Sequence, residues 1–166
     1  DKELFSISKY VVSINQPNAD YNYELTWNNR IKQFSTSEIS YSRPEKSHNI
    51  FSLLMRARNM EWEQLDTSWW PIEHDGKPYQ GRYLWVDSLE ILVGKEQIFA
   101  DHFRFDIQKI KGDYQQLNEI SDVFSWGIVL DNCIRQIWVE RYGKRRILKA
   151  EVTIKGFNLR ANLINE

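Results

Sequence analysis

YLWVDSLEILVGKEQIFADHFRFDI, residues 83–107, is the stretch that decides the fold. Large apolar side chains alternate with mostly polar ones on both sides of Gly94-Lys95, which is the period of two that a β-strand with two different faces produces. A Gly-Lys pair between two such runs favours a tight reversal, so the segment predicts a hairpin of two long antiparallel strands. The side chains predicted to share one face of the first strand are Tyr83, Trp85, Asp87, Leu89, Ile91 and Val93.

A second hairpin is predicted at the start of the chain. Residues 5–14 are rich in Val and Ile, and residues 21–27 alternate aromatic or Leu positions with polar ones. Gln16-Pro17-Asn18 lies between them, and Pro and Asn favour turns.

A third hairpin with a basic tip is predicted in the C-terminal part. Residues 134–142 and 147–154 flank Gly143-Lys144-Arg145-Arg146, and the second run alternates Leu148, Ala150, Val152 and Ile154 with polar residues. Gly156 permits a bulge or bend before residues 157–163 resume the alternation as a closing strand.

The clearest amphipathic helix is predicted over residues 48–59, with Ser47 as its N-cap. Its apolar face is expected to contain Ile50, Phe51, Leu54 and Met55, with Arg56 and Arg58 toward solvent. Residues 118–133 fit a helix or a buried strand, and we favour the helix. The predicted class is therefore α+β: a bent antiparallel sheet or partial barrel of about seven or eight strands with one or two packed helices.

Length and composition indicate a single globular domain over residues 1–166. The one cysteine, Cys133, cannot form an internal disulfide, which favours a reducing compartment, and cytoplasm is the expected location. The apolar runs are too short to span a membrane. The sequence begins at Asp1 rather than Met, and nothing in residues 1–10 resembles a signal peptide.

Charge is unevenly distributed along the chain. Residues 61–131 carry 14 Asp and Glu against 6 Lys and Arg, a formal charge of −8. Residues 1–60 carry 8 basic and 6 acidic groups, and residues 132–166 carry 8 and 3, so a net charge of −1 conceals a polarised chain. Fields of this kind steer association with charged partners.

The acidic segment also contains many tryptophans, and this combination predicts a non-enzymatic module that binds a basic protein. The profile is similar to that of bacterial toxin-neutralising immunity proteins, which are often small and present an acidic surface to a basic nuclease toxin; the similarity covers no motif. The carboxylates are expected to form one continuous negative face. The predicted partner-binding residues are Trp69, Trp70, Glu73, His74, Asp75, Trp85, Asp87, Asp101 and Asp106.

Catalytic and metal-binding patterns are weak in this sequence. His74 lies between two carboxylates, but no His or Cys follows at the spacing of a metal site. Asp101 and His102 are neighbours in a predicted strand, so their side chains point to opposite faces and cannot share a proton. Cys133 lies in an apolar run and is expected to be an inert thiol. We predict no catalytic residue, metal or cofactor.

Two alternative functions use other residues. A nucleic-acid-binding or nucleic-acid-processing protein would grip phosphates with the basic tip, Arg141, Lys144, Arg145 and Arg146. A carbohydrate-binding module would stack sugars on Trp69, Trp70 and Trp85.

Overall fold

The computed structural model describes residues 6–16, 19–37, 39–44, 46–66, 68–112 and 127–164. Ten strands and two helices occupy these residues, which confirms the α+β class. The strands form two antiparallel sheets that do not close into a barrel, instead of one sheet of seven or eight strands. The elements are β1 (Lys9–Gln16), β2 (Ala19–Asn28), β3 (Gln33–Ser35), β4 (Ser40–Ser42), α1 (Ile50–Asn59), α2 (Trp62–Leu65), β5 (Trp69–His74), β6 (Lys77–Val93), β7 (Glu96–Lys109), β8 (Ile134–Glu140), β9 (Ile147–Ile154) and β10 (Phe157–Asn162).

The first sheet is a meander in the order β1-β2-β3-β4. The predicted N-terminal hairpin is confirmed by the pairing of β1 with β2, although Pro17 and Asn18 lie outside the described residues. Leu25 and Phe34 are buried in a small core of this sheet. The sheet therefore has an apolar cluster of its own.

The second sheet has the order β10-β9-β8-β7-β6-β5, so every neighbour in sequence is a neighbour in space. The predicted reversal at Gly94-Lys95 and the hairpin before β9 are both confirmed. Gly156 forms a two-residue turn with Lys155, both at positive φ, rather than a bulge. The last strand, β10, lies at the edge of the sheet and does not close it.

A β-bulge at Val86 changes which face each residue of β6 occupies. Trp85 pairs with Phe103, but Asp87 pairs with His102, so Val86 is the extra residue. The six residues predicted to share one face are therefore divided between the two faces of the sheet. Tyr83 and Trp85 lie on one face, and the other four lie on the opposite face: Asp87, Leu89, Ile91 and Val93. The period of two continues in sequence while the strand reverses its faces, because a bulge adds one unpaired residue.

Helix α1 is confirmed, but its cap and its buried face differ from the prediction. Asn49 is the N-cap, and its side chain accepts a hydrogen bond from the Ser52 backbone N–H at 2.7 Å. The buried residues are Ile50, Leu53 and Ala57, whereas Phe51 is 66% exposed. Leu53 packs where Gly81 leaves room on the sheet, and this close approach fixes the rotation of the helix.

The main core lies between α1 and the second sheet. Its members include Tyr83, Phe103, Phe105, Leu53 and Leu65. Of residues 118–133, for which we favoured a helix, residues 118–126 lie outside the described residues. Within the described ranges, no helix is long and apolar enough to cross a membrane.

Candidate partner-binding surface

The adjacent tryptophans of β5 lie on opposite faces of the strand. Trp70 is half-buried and contacts the ring of Tyr83 with centroids 6.4 Å apart. Trp69 is 39% exposed, and the Arg82 guanidinium lies 4.5 Å from the centre of its ring. Because successive side chains of a strand point to opposite faces, one of the two tryptophans remains accessible.

Glu73 is buried and does not belong to any surface, which corrects its place in the predicted set. Its side chain and that of Arg43 are each 2% exposed, and Arg43 Nε donates to Glu73 Oε2 at 2.9 Å. The backbone N–H of Gly76 donates to Glu73 Oε1 at 2.7 Å. Burial disfavours the charged carboxylate and raises the pKa of Glu73 to about 7, although Arg43 acts in the opposite direction.

His74, Asp75 and Gly76 complete the tight hairpin between β5 and β6. His74 ends β5 and meets the Tyr79 ring edge-on, with centroids 6.2 Å apart. Asp75 and Gly76 both have positive φ and form the turn into β6. The Asp75 carboxylate lies 3.8 Å from the Lys77 ammonium, and its side chain is 9% exposed. These residues therefore offer little negative charge to a partner.

Asp101 is also buried, and it is the second correction to the predicted set. The Ser88 hydroxyl donates to its carboxylate at 2.8 Å, and the Arg141 and Arg145 guanidiniums each approach it to 3.6 Å. Asp101 points to the opposite face from His102, as alternation predicts. Its role is to hold the loop before β9 against the long hairpin.

The two remaining strand carboxylates are exposed in part but paired. Asp106 receives two hydrogen bonds from Arg104, at 2.9 and 3.0 Å, and lies 3.4 Å from Arg82. Asp87 is 3.0 Å from His102 Nδ1. The predicted continuous negative face through Glu73, Asp75, Asp87, Asp101 and Asp106 is therefore wrong for its two buried members.

The histidine beside Asp87 is held on three sides. His102 Nε2 lies 2.8 Å from the Gln136 side-chain oxygen, and the ring stacks on Trp138 with centroids 4.3 Å apart. Lys149 covers the same indole at 4.1 Å. Among the described residues, no group of three His, Cys, Asp or Glu is arranged to hold a metal ion.

One cluster combines exposed carboxylates with an accessible aromatic ring, and we call it the acidic–aromatic patch: Glu61, Trp62, Glu63, Asp66 and Trp85. Trp85 is 37% exposed and packs on Trp62 with ring centroids 5.1 Å apart. Asp66 accepts a hydrogen bond from the Trp85 backbone N–H at 2.9 Å. Glu61 and Glu63 are exposed; the Glu61 carboxylate lies 3.8 Å from the Arg145 guanidinium, with 68% of its side chain exposed.

Helix α2 positions this patch. Leu65 is completely buried in the main core and anchors the short helix, so Trp62 at its start is directed toward β6. Sequence reasoning missed Trp62, although its spacing of three from Leu65 inside an acidic stretch is a helical signal. Of the predicted residues, Trp85 alone belongs to the patch.

The basic tip is largely engaged within the protein. Arg145 donates to the backbone oxygens of Ala57 and Met60, at 3.1 and 2.5 Å, and its side chain is 12% exposed. Arg146 makes two hydrogen bonds to Glu140, at 2.9 and 3.1 Å. Arg141 donates to the Ser88 hydroxyl at 3.1 Å, and Lys144 is exposed. Arg145 therefore acts as a structural link to α1 and is not available for phosphates.

The three tryptophans proposed as a sugar platform do not share a surface. Trp69 packs with Arg82, Trp70 with the core, and Trp85 with Trp62. Trp69 and Trp70 also point to opposite faces of β5, so the set cannot stack on one sugar chain.

No family model, curated protein or solved structure matches this chain. The functional argument therefore rests on the geometry of the described residues. Of the sites that the sequence singled out, the acidic segment retains an exposed aromatic group with carboxylates around it.

Proposed function

We propose that the protein is a non-enzymatic binding module that captures a basic protein through the acidic–aromatic patch. The observation that carries this proposal is the stacked pair of Trp62 and Trp85 beside the exposed carboxylates Glu61 and Glu63. A few residues carry most of the binding energy at a protein interface, and tryptophan is enriched among them. Surrounding charges accelerate association and select partners of opposite charge.

The patch is also organised before any partner arrives. The Asp66 carboxylate fixes the backbone of Trp85, and buried Leu65 fixes α2. A rigid aromatic anchor loses little conformational entropy on binding. Elsewhere in the acidic segment, arginines already neutralise Glu73, Asp101 and Asp106. The proposed binding surface therefore contains fewer carboxylates than the set of residues predicted from sequence.

More specifically, we propose that the basic partner is a toxin domain and that this protein neutralises it in the cytoplasm. A buried, single Cys133 suits that reducing compartment, and burial raises the pKa of its thiol, which keeps it unreactive. Co-expression with the captured partner tests this form: protection from growth arrest supports it, and a partner that is harmless when expressed alone contradicts it.

The central test compares Trp85→Ala with Trp69→Ala. The two indoles are almost equally exposed, but Trp69 is covered by the cationic Arg82, which repels a basic partner. We expect immobilised wild type and Trp69→Ala to retain the same basic protein from a lysate. Calorimetry with that purified protein should show a loss of about 2 kcal/mol or more, roughly thirtyfold in affinity, for Trp85→Ala.

Charge is tested separately from the aromatic anchor. Replacing both Glu61 and Glu63 by Gln should lower the association rate and its dependence on salt, with a smaller effect on dissociation. Equal losses in Trp85→Ala and Trp69→Ala would contradict the proposal. Salt-sensitive binding of an oligonucleotide that Lys144→Glu abolishes would instead support the nucleic-acid alternative.

A further inference from the structure

The two edge strands of the six-stranded sheet differ, because within the described residues β5 is covered by another segment of the chain and β10 is not. At one end, β5 is covered by the chain before α1: the His48 N–H donates to Pro71 O at 2.9 Å, and the Glu73 N–H donates to His48 O at 2.7 Å. At the other end, β10 has six exposed residues, and none of the described strands pairs with its outer edge. An open edge of this kind is a template for another strand.

The turn before β10 determines which backbone groups face outward. Lys155 and Gly156, with φ of 45° and 86°, form a two-residue turn, so Ile154 and Phe157 are the hydrogen-bonded pair that closes it. Hydrogen-bonded and non-bonded pairs then alternate. The N–H of Leu163 donates to Leu148 O at 2.8 Å, in agreement with this alternation. The N–H and C=O groups of Asn158 and Arg160 therefore point to the open edge.

The side chains of β10 also divide cleanly between its two faces. Phe157, Leu159 and Ala161 lie on one face, and Phe157 is 77% exposed. Leu159 and Ala161 line a groove of about 580 Å³ whose other walls include Phe51 and Leu54 of α1. Asn158 and Arg160 lie on the opposite face, where Arg160 is paired with Glu151 of β9.

We propose that two copies of this chain associate through β10, antiparallel about a two-fold axis at Leu159. Leu159 then faces the partner's Leu159, and Phe157 faces the partner's Ala161. The polar face pairs Asn158 with the partner's Arg160. The outward backbone groups of Asn158 and Arg160 meet as hydrogen-bonded pairs, and the two sheets become one continuous sheet of twelve strands.

The charge on β10 favours this register over the neighbouring one with its axis at Arg160. Shifting the axis to Arg160 would place two guanidiniums directly opposite each other, which is unfavourable. The Leu159 register separates them. It also places the large Phe157 ring over the small partner residue Ala161 and beside the apolar groove, so the most exposed aromatic group of β10 becomes covered. This self-complementarity favours a second copy over an unrelated strand.

The first test removes one outward N–H. Proline fits an edge strand where its missing N–H faces solvent, so Asn158→Pro should leave pairing with β9 intact and abolish the dimer. The control Asn158→Ala keeps that N–H and should remain dimeric. Sedimentation equilibrium over a roughly hundredfold dilution series measures both. A wild-type chain that is monomeric throughout, or an Asn158→Pro variant that folds and stays dimeric, overturns the proposal.

The second test reports the register. Opposed residues of a non-bonded pair have Cα atoms about 4.5 Å apart, within reach of a disulfide, so Leu159→Cys should form a cross-linked dimer on mild oxidation. Phe157→Cys is the matched control and should not form a cross-link. The two cysteines of this variant would lie on opposite sides of the axis, each two residue pairs away from it. The wild-type chain, whose single Cys133 is buried, gives the background level of cross-linking. Cross-linking through Arg160→Cys but not Leu159→Cys would overturn the register.

Discussion

At the scale of single residues, burial decides what each carboxylate of the acidic segment does. In the sequence, Glu73 and Asp101 contribute to the negative charge in the same way as Glu61 and Glu63. In the structure, however, Glu73 and Asp101 are buried beside arginines, whereas Glu61 and Glu63 are exposed to solvent. Enclosed charges need partners because desolvation is costly. Charge counted along the sequence therefore overestimates the charge that a partner meets.

The buried carboxylate of Glu73 should make stability depend on pH. Its pKa rises from an ordinary value of 4.5 to about 7 on folding, chiefly because of burial. Between these values the folded chain binds more protons than the unfolded chain, so the free energy of unfolding should fall as pH rises through this window. We expect a fall on the order of 2 kcal/mol between about pH 5 and pH 8, measured by urea denaturation.

Glu73→Gln should flatten this pH dependence. The control is Glu140→Gln, because hydrogen bonds from Arg146 lower the pKa of Glu140 and its contribution is lost only at more acidic pH. An equal slope in wild type and Glu73→Gln would show that another group is responsible.

At the scale of elements, two bulges explain why the second sheet has apolar clusters on both faces. Val86 is the extra residue of β6, and Leu148 is the extra residue of β9, where Trp138 pairs with Lys149 and Val139 with Ile147. Leu148 therefore joins Val93 and Trp138 in a cluster on the face opposite the main core. The strands keep their sequence alternation and still serve two cores.

Contact between α1 and the sheet depends on the absence of a side chain at Gly81. A Cβ there would lie 2.6 Å from Ile72 Cδ1 and 2.9 Å from Phe105 Cε2. We expect Gly81→Ala to destabilise the protein by roughly 1–3 kcal/mol in urea denaturation, because the core must shift. Gly112→Ala is the control, since its nearest contact would be an ordinary 3.4 Å to Pro78. Equal stability of the two variants would contradict this packing.

At the scale of the whole molecule, one buried ion pair joins the two sheets. Arg43 follows β4 of the first sheet, and Glu73 belongs to β5 of the second. The Arg43 guanidinium also donates to the backbone oxygen of Gly76 in the β5–β6 turn. The junction thus links the end of one meander to the beginning of the other.

Breaking this junction from one side should be costly. Arg43→Met leaves Glu73 buried without its cation, and we expect a loss of about 3 kcal/mol or more in urea denaturation near pH 8. The loss should be smaller near pH 5, because a protonated Glu73 needs no counter-charge. Arg104→Met is the control: its side chain is half exposed beside Asp106, so its loss should stay below about 1 kcal/mol.

The sequence by itself determined the local structure of this protein. Period-two runs and turn residues predicted three hairpins and the β-rich class, because strand alternation and positive-φ turns are properties of neighbouring residues. The helix at residues 50–59 was also predictable from its spacing. Sequence likewise located the acidic, tryptophan-rich segment that contains the proposed binding surface.

Tertiary structure alone decided which face of each helix and strand is buried. Packing against Gly81 turned α1 so that Leu53 rather than Phe51 is buried, and the bulge at Val86 sent Asp87 to the other face from Trp85. Long-range contacts also enclosed Glu73 with Arg43, 30 residues away. These outcomes depend on volume and charge supplied by distant segments, which no local pattern contains.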